Sequence, residues 1–215
     1  MKHILIWGVA GVLLAGGVVG LLLLAPPSKN SNSSAYLAAA VSSADHAKGN
    51  RDAKIVLVEY GDFQCPACAL YEPVVEQLEE DYGDRMTFIY RHFPLRNVHA
   101  QADLAAQASE AAALQGRFWE MHDLLYQNQN EWAKNDKAEE IFVGYAVSLG
   151  LDKERFSQDM NSDAVKTKVE NDFQGGVKSG VNGTPNFYLN GKKIENPGSY
   201  DEFKQLLNQE LERNS

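Results

Sequence analysis

Cysteine is scarce in this chain: of its 215 residues only Cys65 and Cys68 carry a thiol. A structural zinc site needs four ligands, so two thiols would have to recruit further cysteines or nearby histidines, and neither lies close in sequence. Clustered basic charge is missing as well. Lys and Arg number 20 against 29 Asp and Glu, giving −9 overall without long single-sign runs. Phosphate recognition depends on grouped Lys and Arg, so nucleic acid is excluded as an expected partner. The acidic balance serves solubility. No internal repeat is present, and the length suits one core with elaborations.

The longest apolar run, Ile4 to Ala25, is 22 residues without a charge, preceded by Met1-Lys2-His3 and followed by Pro26-Pro27. It is long enough for a hydrocarbon core of about 30 Å, whereas the apolar part of a cleaved signal is about 7–15 residues. Residues 1–27 are therefore expected to be an uncleaved transmembrane anchor, with a signal peptide cut near Ala38-Ala39-Ala40 as the alternative. Lys2 favours an N-terminus left in the cytoplasm and a catalytic domain outside, where disulfides persist. Gly16 and Gly20 read as glycine tolerated in a membrane helix. Residues 28–44 read as a flexible linker, Ser-rich and then Ala-rich with a short helix within 35–44. The folded domain is expected over 45–215.

Ile55-Val56-Leu57-Val58-Glu59-Tyr60 is short, apolar and β-branched, as a buried strand is, and Gly61 to Gln64 follows as a turn. A helix then starts at Pro66, favoured at the first helical position, and runs to about Tyr82. Cys65-Pro66-Ala67-Cys68 thus falls at a helix N-terminus, where unpaired N–H groups and the dipole favour a thiolate at Cys65. Cys68, one turn further in, is placed to resolve a mixed disulfide. A stabilising bridge, half of a metal site or two inert thiols are the alternatives; a four-residue loop constrains the unfolded chain too little for the first. Dithiol redox chemistry is the favoured reading, and no bound cofactor or metal is expected. Glu59 is an ionisable residue in a strand otherwise made of Ile, Val, Leu and Tyr, costly if buried, and fitted by a raised pKa to exchange a proton with Cys68. A strand-end glutamate reaching solvent is its alternative.

Met86 to Arg91 gives a second strand, and the helix between implies parallel pairing. Helical patterns cover Ala100–Gln115, Phe118–Tyr126, Lys137–Leu149, Lys153–Met160 and Ala164–Lys178, an insertion of about 97–178. Phe187-Tyr188-Leu189, a turn at Asn190-Gly191 and Lys192-Lys193-Ile194 form a hairpin. An amphipathic helix from Tyr200 to Leu211 closes the chain. Pro73 is expected to kink the first helix. His92 and His99 lie near enough in sequence to approach the thiols, with surface or capping roles as the plainer reading.

This β-α-β, helical insert, β-β-α order, with Cys-x-x-Cys after the first strand, resembles the thioredoxin fold in its DsbA-like form, a family of exported thiol-disulfide oxidoreductases. The resemblance is carried by Phe63-Gln64-Cys65-Pro66-Ala67-Cys68, by Gly183-Thr184-Pro185 before a strand, by Glu59 six residues before Cys65, and by Phe118-Trp119-Glu120-Met121-His122. It implies an α/β fold with one N-terminal transmembrane helix. Cys65 and Cys68 would be catalytic with Glu59, and Thr184-Pro185 would form a cis-proline loop that pairs with an extended substrate. Phe63, Pro66 and Ala67 would join the substrate surface, and Tyr71, Phe93 and Trp119 are further apolar candidates for it. Implied partners are cysteine-containing exported proteins and a quinone-linked membrane partner that reoxidises the pair. One departure stands out: the inner dipeptide is Pro-Ala where strongly oxidising members carry Pro-His. A tethered reductase or isomerase is the first rival, and a thiol-based metal-delivery or peptide-binding module the second.

Overall fold

The computed structural model describes residues 36–213. The expected membrane anchor and the first part of the tether lie outside these residues, and among those described no helix is long and apolar enough to cross a membrane.

Five strands form one sheet: β1 (His46–Gly49), β2 (Ile55–Gly61), β3 (Met86–His92), β4 (Asn186–Leu189) and β5 (Lys192–Lys193), in the order β1-β3-β2-β4-β5. β2 and β3 pair in parallel, bridged by helix α1 (Pro66–Tyr82), and β4 runs antiparallel to β2. Every residue of β3 is buried, and all of β2 but Val56. Central strands covered on both faces carry apolar side chains at successive positions, which is why these two segments read as strands. The hairpin turns at Asn190 and Gly191, both at positive φ, as a two-residue turn of this hand requires.

Side-chain alternation sorts the sheet into two cores. Ile55, Leu57, Phe88, Tyr90 and Phe187 face α1 and the insert, while Val58, Tyr60, Ile89 and Tyr188 face the opposite side with Phe93 and Val181. Glu59 shares the parity of Leu57, so it points towards α1 and the insert.

The insert comprises α2 (Ala102–Ala113), α3 (Phe118–Gln127), α4 (Gln129–Trp132), α5 (Ala138–Ser148), α6 (Lys153–Met160) and α7 (Asp163–Ser179), and α8 (Tyr200–Arg213) closes the fold. Two expectations are corrected at the N-terminal side. Residues 36–44 are a strap bound to the domain rather than a free linker, and they hold no helix. Leu37 N–H donates to Gly191 O at 2.8 Å, Ala38 N–H donates to Ser179 Oγ at 2.9 Å, and the Arg91 guanidinium donates to the carbonyls of Ala39 and Ala40. His46–Gly49 adds an edge strand to β3.

Candidate redox site

Asp62 builds the loop that presents the cysteines. Its Oδ1 accepts from Gln64 N–H at 2.8 Å, its Oδ2 accepts from Leu95 N–H at 2.9 Å, and its carbonyl accepts from Cys65 N–H at 3.0 Å. His99 Nδ1 lies 2.7 Å from the same Oδ2, so this histidine supports the loop and not the sulfurs. From the insert, Gln129 Nε2 donates to Phe63 O at 2.7 Å and to Cys65 O at 3.1 Å. Gln64 joins both sides, donating to Ala133 O and accepting from Gln101 N–H.

Cys65 is the residue before the first turn of α1, with Pro66 at the first helical position and no side-chain cap. The N–H groups that a capping oxygen would take are left for sulfur. Hydrogen bonding from Cys68 contributes most to lowering the Cys65 pKa to about 5, against the opposing effect of burial; the Thr184 side chain and the N–H groups of Cys68 and Ala67 add to the lowering. Cys68, 1% exposed, moves the other way: burial, the hydrogen bond given to Cys65 and the charge of Glu59 push it well above an ordinary thiol. The two sulfurs are therefore unequal, one an anion near neutrality and the other a thiol. Both are free thiols in this structure.

The Thr184–Pro185 bond is cis, and Thr184 O lies 3.4 Å from Cys65 Sγ. Asn196 Nδ2 donates to Pro185 O at 2.7 Å and Asn186 Nδ2 to Gly183 O at 3.1 Å, fixing the loop against the sulfur. Glu59 is 2% exposed, not a strand-end residue reaching solvent, and burial, then the charges of Glu72 and Cys65, raise its pKa well above the carboxylate range. The structure thus brings Cys65, Cys68, Glu59 and Thr184-Pro185 together, with Pro66 and Ala67 exposed beside them. Phe63 requires correction: at 1% exposure it offers no surface to a substrate, and its ring packs under the loop against Tyr90 and Tyr126, with centroids 5.0 Å away in each case. Phe93 is buried as well, on the other face of the sheet, while Tyr71 and Trp119 are half-buried.

Asp62, Gln129, Glu72 and His122 were not singled out from sequence as parts of the site, because their partners are distant in the chain or their spacing looks ordinary. Among the described residues two groups of His and carboxylate converge, Glu72-His122-Asp123 and His92-Glu110-Asp172, and neither includes a cysteine. In the second, Lys168 Nζ already stands 2.6 Å from Asp172 and 3.5 Å from Glu110, where a cation would sit.

Similarity to known proteins follows the same outline. The family model described as Thioredoxin matches residues 42–209. The chain is 42% identical over 157 residues to a Na(+)/H(+) antiporter NhaA 1 of Salinispora arenicola and 41% identical over 155 residues to one of Mycolicibacterium gilvum. These alignments take in 73% and 71% of this chain but 23% and 24% of the relatives, so the chain spans about a quarter of their length. Among solved structures, oxidised BdbD from Bacillus subtilis superposes with a TM-score of 0.73 at 25% identity, covering 83% of this chain and 99% of that one. Wolbachia pipientis alpha-DsbA1 gives 0.72 at 22% identity, over 80% and 94%. Proteus mirabilis ScsC gives 0.66 at 22%, over 80% and 74%. With the matched span, the cis-proline loop and the helical insert in agreement, the chain has a DsbA-like fold and belongs to the thioredoxin family.

Proposed function

We propose that this protein is a membrane-tethered, extracytoplasmic oxidase that places disulfides in exported proteins. The observation that carries the direction is the inequality of the sulfurs. A Cys65 thiolate favoured down to about pH 5 stabilises the reduced enzyme and makes Cys65 the better leaving group. In the forward sense a substrate thiolate attacks Cys65, the Cys65–Cys68 bond breaks, and Cys68 leaves and takes a proton from neutral Glu59. The substrate's second thiolate then displaces Cys65, leaving an oxidised substrate and a reduced enzyme. Thr184 O, exposed Pro66 and Ala67 form the edge on which an extended substrate segment lies. The two sulfurs do this chemistry without a bound cofactor, and a quinone-linked membrane partner restores the disulfide. Residues 4–25 supply the anchor, for which the uncharged apolar run is the support. Antiport is not carried over from the relatives, since the alignment takes in only a fraction of them.

Equilibration of the full chain in detergent with glutathione buffers tests the direction. A reduction potential well above the glutathione couple is expected. A value near that of thioredoxin, about −270 mV, would instead favour a reductase, consistent with Pro-Ala replacing Pro-His between the cysteines. Carbonate extraction of membranes tests the anchor: the protein is expected in the pellet, and its appearance in the supernatant would overturn tethering.

A further inference from the structure

Exchange at the buried sulfur moves protons in a place closed to water. Cys68, Glu59 and the Phe63 ring beneath them are each almost inaccessible, so a proton used at Cys68 must be replaced through the protein. On the inner face of α1, one turn beyond Cys68, stands a second buried carboxylate, Glu72. Its Oε1 lies 3.6 Å from His122 Nδ1, and the same nitrogen lies 3.0 Å from Asp123 Oδ1, whose side chain is 29% exposed.

The other nitrogen of His122 is closed off. Nε2 is buried without a hydrogen-bond partner, and the ring stands nearly perpendicular to Phe63, Tyr90 and Tyr126, at 79°, 84° and 80°. An Nε2–H held in such an aromatic cage makes weak N–H···π contacts and has no acceptor to move to. Exchange is then confined to Nδ1, which is the atom set between the two carboxylates. Glu59 faces α1 from β2, sharing the parity of Leu57, and Glu72 lies on the buried face of α1, so the two carboxylates approach one interior from opposite sides.

We propose that Glu72 and His122 form a proton relay joining the buried Glu59 and Cys68 to solvent at Asp123. This rests on the reading of Glu59 as the group that exchanges a proton with Cys68. Neither Glu72 nor His122 touches a sulfur; they act through Glu59. When the enzyme disulfide is attacked, the S–S bond breaks, Cys68 departs as thiolate and takes the Glu59 proton, leaving a Glu59 carboxylate. Glu72 in its neutral form returns a proton to Glu59, recovers one from His122 Nδ1, and His122 is recharged from Asp123 and bulk water. The reverse reaction runs the same protons outward. The groups facing the relay fit this traffic: burial first, then Asp123 and, on α1, Glu76 and Glu79 help keep a proton on Glu72 against the opposing charge of His122. Lys48 from β1 is engaged by Glu79 at 2.8 Å rather than by Glu72.

The test is single-turnover reduction of the enzyme disulfide by a dithiol peptide, followed by stopped flow from pH 5 to pH 9 in wild type, Glu59→Gln, Glu72→Gln and Asp123→Asn. Glu72→Gln is expected to slow the reaction by about tenfold or more at pH 8, with the loss shrinking towards pH 5 where solvent protons are abundant. Asp123→Asn is expected to give a smaller loss of the same shape, and Glu59→Gln/Glu72→Gln is expected to be no slower than Glu59→Gln alone, as for groups acting in one chain. Thiolate absorbance of Cys65 serves as the structural control, since the largest influences on it come from Cys68, burial, Thr184 and Ala67, and its midpoint is expected to stay near pH 5. A wild-type profile in Glu72→Gln beside a slow Glu59→Gln would overturn the relay alone. Wild-type profiles in both would remove Glu59 from the mechanism and the relay with it. A pH-independent loss with a displaced Cys65 midpoint would mark Glu72 as structural and also overturn the relay.

Discussion

Two glutamates, Glu59 and Glu110, are buried to a similar degree, at 2% and 6% exposure, and end with opposite properties. Glu110 faces His46 and His92, each with Nε2 2.8 Å from its Oε1, and Lys168 at 3.5 Å. Burial opposes its ionisation, yet those hydrogen bonds and cations hold its carboxyl far below the usual carboxylate range. Glu59 sits between Tyr90 and Phe187 in the sheet, and the groups that reach it, Glu72 and Cys65, can carry only negative charge. Burial alone therefore does not decide whether a carboxylate is a structural anion or a proton store; the sign of its neighbours does.

The largest expected effect comes from breaking the first member. Glu110→Gln leaves Lys168 and the two histidines without their shared anion, at a cost of about 3–5 kcal/mol by analogy with other broken buried pairs. Thermal unfolding at pH 7 reads it, and an unchanged Tm would show the cluster to be slack. The two carboxylates also predict opposite pH trends. Glu110 is depressed in the folded state, so its stabilisation is present above the ordinary glutamate pKa and lost as pH falls below it. Glu59 is raised, so between the ordinary value and its folded value the folded protein binds the extra proton and stability falls as pH rises.

Glu59→Gln removes that penalty and is expected to raise Tm at pH 8 by about 2–4 °C for each kcal/mol gained, with little change at pH 4. A variant less stable at pH 8 would mean that Glu59 is anionic and paired in the folded state. The smallest expected effect sharpens the same contrast at sulfur, where Cys65 is the favoured anion and Cys68 the disfavoured one. Thr184→Val removes a buried hydroxyl that has no other hydrogen-bond partner and is free to donate to the Cys65 thiolate, and should move its absorbance midpoint upward by about one unit or less, worth about 1.4 kcal/mol per unit. A downward shift would show that the threonine side chain destabilises the thiolate.

The sequence made some of this legible and hid the rest for identifiable reasons. Ile55 to Tyr60 and Met86 to Arg91 announce central strands because both faces of the sheet are covered, and Glu59 is conspicuous for being charged in such a run. Lys153–Met160 matches its expected bounds, with Asp152 accepting from Arg155 N–H as a cap. The edge strand His46–Gly49 went unseen because one polar flank leaves no apolar pattern. Residues 36–44 look like linker by composition, and the groups that tie them down are distant in the chain: Gly191, Ser179 and the buried Arg91, itself paired with Asp45 at 2.7 Å. Glu72 keeps company with Glu76, Glu79 and Glu80 on a helix that reads as a solvent face, and nothing local signals that the insert folds over it. Phe63 misleads in the opposite way, since an aromatic beside a reactive cysteine suggests a surface until its ring is found under the loop.

Gln129 carries a consequence for how this module can be divided. Its amide holds the carbonyls of Phe63 and Cys65 from 64 positions or more along the chain, and Gln64 returns the hold at Ala133 and Gln101. The redox loop is thus owned jointly by the sheet and the insert. Trimming the protein to its five strands, α1 and α8 would leave the dithiol motif intact in sequence but strip the Phe63 and Cys65 carbonyls of the Gln129 amide, so the minimal transplantable unit includes the helices that contribute no sulfur.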